Sequence, residues 1–77
     1  MAKNEMVFDY SKLDGKIREV FGTQGKFAEA MNLSERTVSM KLNNLRAWKQ
    51  NEMVEALEVL GLSFFDLVEY FFMLKVQ

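Results

Sequence analysis

The sequence predicts an all-α fold, a compact single domain of five helices over residues 1–77, and three observations support this prediction. The chain contains no proline and is 49% hydrophobic, a composition that suits uninterrupted helices around one core. Apolar residues recur at helical spacing, for example at Leu13, Ile17 and Val20 or Phe21, as expected for the buried side of a helix. Capping residues and glycines divide the chain into helical lengths, and no segment shows the alternation typical of a strand.

Start and stop signals set the expected boundaries of the five helices. Thr23 and Ser34 are good N-caps, Gly22 and Gly61 are typical stops, and Ser63 followed by Asp66 resembles a capping box. We expect the first helix from Asp9 or Ser11 to Phe21, the second from behind Thr23 to Met31, and the third from behind Ser34 to about Asn43. The fourth should run from about Gln50 to Leu60. The fifth, in the segment 63–74, should run from Phe64 to about Leu74. In the fourth helix, Met53, Ala56, Leu57 and Leu60 are predicted to face inward, and Glu52, Glu55 and Glu58 outward.

Composition excludes several classes of function. The chain has no His and no Cys, and it lacks a Gly-rich phosphate loop, so we expect no metal, no cofactor, no small-molecule ligand and no enzymatic activity. No apolar run approaches the roughly 20 residues of a membrane-spanning helix, and residues 1–10 do not resemble an export signal. We therefore expect a cytoplasmic protein whose function comes from a surface.

The charges are unevenly distributed, although the net charge is only −1. Residues 1–22 are neutral overall, residues 23–50 carry a net charge of +3, and residues 51–77 carry −4. Positive charge in the middle third favours attraction of phosphates within a Debye length of roughly 8 Å at physiological salt. The acidic remainder lowers nonspecific binding.

Residues 23–44 have the layout of a helix-turn-helix, two short helices joined by a tight turn. Val38 and Leu42 share one side of the second of these helices, which we expect to be buried. The opposite side is either an ordinary solvated surface or a surface apt for a DNA major groove. Its side chains are Arg36, Thr37, Met40, Asn43 and Asn44.

The same stretch resembles the helix-turn-helix of the lambda-repressor and Cro type, the XRE-like family. The resemblance to small phage Cro-like regulators extends over residues 9–72 and implies a lambda-repressor-like DNA-binding domain. Asn32 replaces the usual turn glycine, and Gly25 lies inside a helix, where glycine costs about 0.5–1 kcal/mol relative to alanine. The matching residues are Thr23, Gln24, Phe27, Ala28, Leu33, Ser34, Thr37, Val38, Ser39 and Leu42.

The resemblance also implies roles for individual residues on double-stranded DNA. The base-reading positions of the family correspond to Glu35, Arg36, Thr37 and Met40. The positions that contact the DNA backbone correspond to Gln24, Ser39, Asn43, Asn44, Arg46 and Lys49.

The C-terminal segment is too apolar for a fully exposed helix of a monomer. Core packing can use Leu67, Tyr70 and Phe71, but other large apolar residues surround much of the helix. We expect them to form a homodimer interface rather than to meet an anionic membrane, because this segment is acidic. The expected interface residues are Phe64, Phe65, Phe72 and Met73.

Two features of the second half allow alternatives. Trp48 either packs over the start of the fourth helix or stacks on single-stranded nucleic acid. The tail Leu74–Gln77 either extends an exchanged strand or frays.

These expectations combine into a sequence-specific, double-stranded DNA-binding transcription regulator of the phage Cro or repressor type. It would place its recognition helix in the major groove, and the sequence does not tell whether binding represses or activates. Two copies would read the half-sites of a palindromic operator as a homodimer. The alternative hypothesis is a protein-interaction module, antirepressor-like or antitoxin-like, that keeps the helix-turn-helix scaffold without reading bases.

Overall fold

The computed structural model describes residues 7–75 and confirms the all-α fold with five helices. Over that range the only strand-like feature is a single antiparallel bridge between Phe8 and Leu74. None of the helices described is long and apolar enough to cross a membrane. The elements are α1 (Ser11–Phe21), α2 (Gln24–Met31), α3 (Glu35–Leu42), α4 (Gln50–Val59), a 3-10 turn (Phe64–Asp66) and α5 (Leu67–Phe71).

The predicted N-caps form at the starts of α2 and α3. The Thr23 hydroxyl accepts a hydrogen bond from the Lys26 amide at 3.1 Å, and the Ser34 hydroxyl accepts one from the Thr37 amide at 3.0 Å. Asn32, in the turn between α2 and α3, has a φ of 59°, a left-handed conformation that asparagine tolerates better than most residues. The chain therefore builds a helix-turn-helix without the usual turn glycine.

The fifth helix is shorter than we predicted. The capping box forms as expected, with the Ser63 amide donating to Asp66 at 2.9 Å and the Phe65 amide to the Ser63 hydroxyl at 3.1 Å. The segment behind it is a 3-10 turn followed by a helix that ends at Phe71, rather than a continuous helix to Leu74.

The helix stops because the residues after it pair with the start of the described chain. The Asp9 amide donates to the Met73 carbonyl at 2.7 Å, and the Lys75 amide donates to the Val7 carbonyl at 2.8 Å. The other edge of this short segment is held by Asn44, whose carboxamide accepts from the Phe8 amide and donates to the Phe8 carbonyl, both at 2.9 Å. We call residues 7–9, residues 73–75 and Asn44 the terminal clasp.

The terminal clasp also bears on the predicted tail. Leu74 and Lys75 pair within their own chain, so this part of the tail neither frays nor exchanges in the monomer. Residues 76–77 of the tail lie outside the described residues. Residues 1–6, which belong to the segment where we expect no export signal, also lie outside them.

A single core joins the helices. Ala28 is 1% exposed, and this small side chain lies where α2 packs against its neighbours. Trp48 is buried, with its ring edge-on to those of Tyr10 and Phe71, so it is not available to stack on nucleic-acid bases. The largest fully buried side chains are Leu13, Ile17, Phe27, Val38 and Phe71.

The prediction that Glu52 faces outward is wrong. Its carboxylate is buried and lies 2.8 Å from the ammonium nitrogen of Lys41, which is also buried. The Lys41 ammonium donates a second hydrogen bond to the Ala47 carbonyl at 2.8 Å and lies 5.8 Å from the centre of the Trp48 ring. This ion pair connects α3 to α4 across the intervening loop.

Candidate protein-interaction surface

Several large apolar side chains are exposed on α4, on the 3-10 turn and on and just after α5. Phe64, Phe65 and Val68 are 68%, 96% and 62% exposed, and Phe72 and Val54 are also exposed. We call these five residues the apolar face. Phe64 and Phe72 line one groove, and Val68 lies midway between them along the chain, on α5. The capping box of Ser63 and Asp66 holds the backbone of the turn that carries Phe64 and Phe65.

A groove runs across the apolar face between α4 and α5. Its volume is about 430 Å³, and α4 contributes Val54 to one wall while α5 contributes Leu67 to the other. The groove continues toward a second cavity, because Trp48, Met53 and Phe72 line both. The remaining lining residues of the groove are Gln50 and Phe64.

Acidic side chains border this surface. Glu58 is exposed and lies one helical turn beyond Val54 on α4, so it shares that side of the helix. Neither Glu58 nor Glu55 forms an ion pair within residues 7–75. Glu69, on α5, pairs with Lys12 of α1, and this hydrogen bond raises the pKa of Lys12. An apolar centre with an acidic border is complementary to a partner that has an apolar centre and a basic border.

The four predicted base-reading residues do not form one exposed row. Glu35 and Arg36 are exposed at the start of α3, whereas Thr37 and Met40 are half-buried. The Thr37 hydroxyl accepts a hydrogen bond from Ser34 at 2.8 Å. The carboxylate of Glu35 lies over the first turn of α2, where it would be 3.2 Å from a Cβ placed on Gly25.

Three of the six predicted DNA-backbone residues use their polar groups within the domain. Gln24 donates to Asp14 at 3.0 Å, Asn43 donates to the Ser39 carbonyl at 2.8 Å, and Asn44 belongs to the terminal clasp. Ser39 itself is half-buried. Of the six, only Arg46 and Lys49 are exposed cations.

These predicted residues are distributed over three cavities, one of which is lined by Asn44 and Arg46. Gln24 and Asn43 line a polar cavity with Asp9 and Asp14, whose carboxylates repel a phosphate. Hydrogen bonds from the Ser11 amide and hydroxyl hold the pKa of Asp9 below its usual value. Thr37, Arg46 and Lys49 line a different cavity, beside the buried pair of Lys41 and Glu52.

The four residues predicted as a homodimer interface are all exposed. Phe64 lines the groove, Phe65 is exposed on the 3-10 turn without lining the groove, and Phe72 follows α5. Met73 is 49% exposed and leads into the terminal clasp. The structure therefore agrees that these side chains are uncovered in the single chain.

Two functional features escaped the sequence prediction, although one of them carried a signal. Lys41 lies about 60° from Val38 around α3, and Glu52 precedes the buried Ala56 by four residues, so helical spacing places both on buried sides. The second feature is Nε1 of Trp48, which is buried without a hydrogen-bond partner among the described residues. No pattern in the sequence indicates that this group is unpaired.

Comparison with known proteins identifies two similarities. Residues 6–73 match the profile of DUF739, a family described as proteins of unknown function. The chain is also 54% identical to the modulator of repression (MOR) of the temperate bacteriophage TP901-1 from Lactococcus lactis, whose solution structure is known. The match covers 91% of this chain and 95% of that chain, with a TM-score of 0.76. No curated protein matches the chain.

These similarities correct the predicted family, function and partners. We expected a Cro-like XRE repressor that reads double-stranded DNA as a homodimer, and a 54% identical modulator of repression overturns that expectation. The antirepressor-like alternative, a protein-interaction module, agrees better with this relative. The predicted roles of individual side chains, on DNA or in a dimer, are not tested by these similarities and stay predictions.

The physical reason for the error lies in what the matching residues do. Thr23 and Ser34 cap the starts of α2 and α3. Ala28 and Val38 are buried in the core that joins these helices. Such residues specify how two helices are joined and say nothing about what their outer surface binds. Because the family profile spans nearly all of the described residues, the chain belongs to the DUF739 family.

Proposed function

We propose that this chain is a protein-interaction module that modulates repression of transcription by binding a repressor protein. The observation that carries the proposal is the apolar face, in which Phe65 is 96% exposed. The similarity to a modulator of repression supports the choice of partner. The proposal needs no catalytic group, and it places the chain in the cytoplasm with the repressor and its operator.

The apolar face has the chemistry of a binding hot spot. Phenylalanine side chains bury large apolar areas at low cost in side-chain entropy, and aromatic residues are enriched in the buried centres of interfaces. Burial contributes roughly 25 cal/mol for each Å² removed from water. The groove between α4 and α5 accepts ridges of side chains from a helix of the partner, a common mode of recognition.

Charge favours a repressor among possible partners. A DNA-binding protein carries a basic surface that attracts phosphates, and the exposed carboxylate of Glu58 borders the apolar face. Complementary charge speeds association and suppresses wrong partners. A basic partner surface with apolar side chains at its centre satisfies both parts of the site.

Isothermal titration of the chain with the repressor encoded in the same genome region tests this proposal. Phe65→Ser removes the most exposed aromatic ring and is expected to weaken binding at least 10-fold, about 1.4 kcal/mol. Val20→Ser is the matched control, because Val20 is an exposed apolar residue of α1 outside the apolar face. It should change the affinity less than 2-fold.

A gel-shift assay adds a functional readout. Addition of the wild-type chain is expected to change the amount of repressor bound to its operator, and Phe65→Ser should need a higher concentration for the same change. Failure of the wild-type chain to bind the repressor at all would contradict the proposal. Equal losses of affinity in Phe65→Ser and Val20→Ser would show that the apolar face is not the binding surface.

A further inference from the structure

The cavity that continues the groove lies between α5 and the loop of residues 44–48. Its volume is about 310 Å³, and we call it the loop cavity. Most of its lining residues are apolar or aromatic, so a partner that covers the cavity would remove water and strengthen any polar interaction formed inside. The lining residues are Phe8, Tyr10, Asn44, Leu45, Arg46, Ala47, Trp48, Met53, Phe71 and Phe72.

Trp48 lines this cavity and carries an unsatisfied hydrogen-bond donor beneath its surface. The side chain is 6% exposed, and its Nε1 has no acceptor in the part of the chain that the structure describes. Buried donors in native proteins are nearly always paired, so an orphan donor beside a cavity indicates a group that binding supplies. An indole nitrogen only donates, and the missing group is therefore an acceptor.

Arg46 identifies the kind of acceptor. It is exposed, it lines the same cavity, and it forms no ion pair within residues 7–75. No acidic residue lines the cavity, and Arg46 is its one charged lining residue. A guanidinium group pairs with a carboxylate through two parallel hydrogen bonds, which are stronger than those to a neutral acceptor.

We propose that the loop cavity receives an Asp or Glu side chain of the partner protein, whose carboxylate accepts hydrogen bonds from Nε1 of Trp48 and from Arg46. This inference rests on the proposed function, because the carboxylate belongs to the repressor that covers the apolar face. Nε1 is sealed from solvent, so entry requires a small shift of the flanking side chains, of which Leu45 is 70% exposed.

The loop cavity gives the two ends of the combined surface opposite charges. Glu58 lies on the groove side of α4, whereas Arg46 lies at the loop cavity. A partner must place basic groups near the first end and an acidic group near the second. Two ends of opposite charge allow one orientation of the partner and disfavour the reverse.

Nuclear magnetic resonance tests the contact directly, because Trp48 is the only tryptophan of the chain. The ¹⁵N-labelled wild-type chain is titrated with the repressor, and the single indole N–H signal is followed. We expect its proton resonance to move downfield and its exchange with water to slow in the complex. An indole signal that does not move at saturation would overturn the proposal.

Three variants complete the test by calorimetry with the same repressor. Trp48→Phe keeps an aromatic ring but removes the donor, and Arg46→Met removes the cation; each is expected to weaken binding roughly 10-fold. Lys49→Met is the matched control, because Lys49 is an exposed cation nearby that does not line the loop cavity. It should change the affinity less than 2-fold.

The outcomes separate this inference from the proposed function. Wild-type affinity in both Trp48→Phe and Arg46→Met overturns the inference, and the proposed function stands if Phe65→Ser still weakens binding. If Trp48→Phe does not fold, as judged by thermal unfolding, the exposed Arg46→Met and the indole signal of the wild-type chain decide the matter. Equal losses for Arg46→Met and Lys49→Met indicate general electrostatic attraction and overturn the carboxylate site.

Discussion

The ammonium nitrogen of Lys41 lies 2.8 Å from Oε1 of Glu52, and both side chains are almost fully buried between α3 and α4. Oε1 of Glu52 also accepts a hydrogen bond from the Lys49 amide at 2.9 Å. The arrangement satisfies both charges at once and connects the helix-turn-helix to the half of the domain that carries the apolar face. Five predictions follow from this and other contacts of the domain.

Glu52→Gln should destabilise the protein by about 3 kcal/mol or more, because it leaves the buried charge of Lys41 without its counter-ion. The substitution retains the side-chain volume and an acceptor for the Lys49 amide. Urea unfolding measures the loss. Glu55→Gln, on the exposed side of the same helix, is the control and should change the free energy of unfolding by less than about 0.5 kcal/mol. Equal stability of the two variants would contradict the assigned role of the pair.

The same pair predicts a loss of stability in acid. Burial raises the pKa of Glu52, but hydrogen bonds from Lys41 and from the Lys49 amide outweigh it and hold the pKa below its ordinary value of 4.5. The unfolded chain therefore binds this proton more readily, so the contribution is complete above 4.5 and is lost as the pH falls through the folded value. Urea unfolding between neutral pH and about pH 3 should show a shallower decline for Glu52→Gln than for the wild-type chain. If the free energy of unfolding falls equally with pH in both chains, Glu52 does not contribute to the acid sensitivity.

Asn44→Ala should cost about 2–3 kcal/mol, because it removes two hydrogen bonds to Phe8 and places an alanine at a φ of 63°. Asn44→Gly separates the two effects, since glycine accepts this conformation without strain. It should therefore be about 1 kcal/mol more stable than Asn44→Ala. Hydrogen exchange should show lost protection of the Phe8 amide in both variants, and retained protection would contradict the contact.

Gly25→Ala should stabilise the protein by about 0.5 kcal/mol, because alanine is the better residue inside a helix. The new Cβ would lie 3.2 Å from Oε1 of Glu35, and this exposed, flexible carboxylate has room to move. Thermal unfolding gives the sign of the change. A loss of stability that Glu35→Ala then relieves would instead show that Glu35 is held firmly over α2.

Phe65→Ser and Phe71→Ala should differ sharply in stability, although both replace aromatic residues of the same C-terminal segment. Phe65 is 96% exposed and Phe71 is 2% exposed. Truncating the buried ring should cost about 3–5 kcal/mol, whereas the exposed one should leave the melting temperature nearly unchanged. A marked loss of stability in Phe65→Ser would show that this ring contributes to folding as well as to the surface.

Local signals in the sequence were sufficient for most of the fold. Thr23, Ser34 and Gly22 mark helix boundaries through backbone chemistry that operates wherever the residues occur. The end of α5 was not predictable in this way, because it depends on pairing between residues near opposite ends of the described chain. The buried position of Glu52 was predictable from spacing, but its charge led us to place it outside.

The candidate surface was only partly predictable. The excess of exposed aromatic residues was visible in the sequence, since one short helix cannot bury all of them. The identity of the covering partner was not, because Phe64 and Phe65 present the same apolar chemistry to a second copy and to another protein. The residues resembling a DNA-reading motif misled us for the same reason, since capping and packing residues are shared by helix-turn-helix domains with different partners.

The terminal clasp has a consequence for the order in which the molecule folds. Its hydrogen bonds join Val7 to Lys75 and Asp9 to Met73, so they close a loop of nearly the whole described chain, and such closure is entropically the most demanding. The clasp therefore forms after the helices have assembled and opens before them. Phe8 within it packs edge-on against Phe72 of the apolar face, with the ring centres 6.1 Å apart. The last contacts to form among the described residues thus support the apolar face, and a partner bound to that face, as we propose, should slow the opening of the terminal clasp.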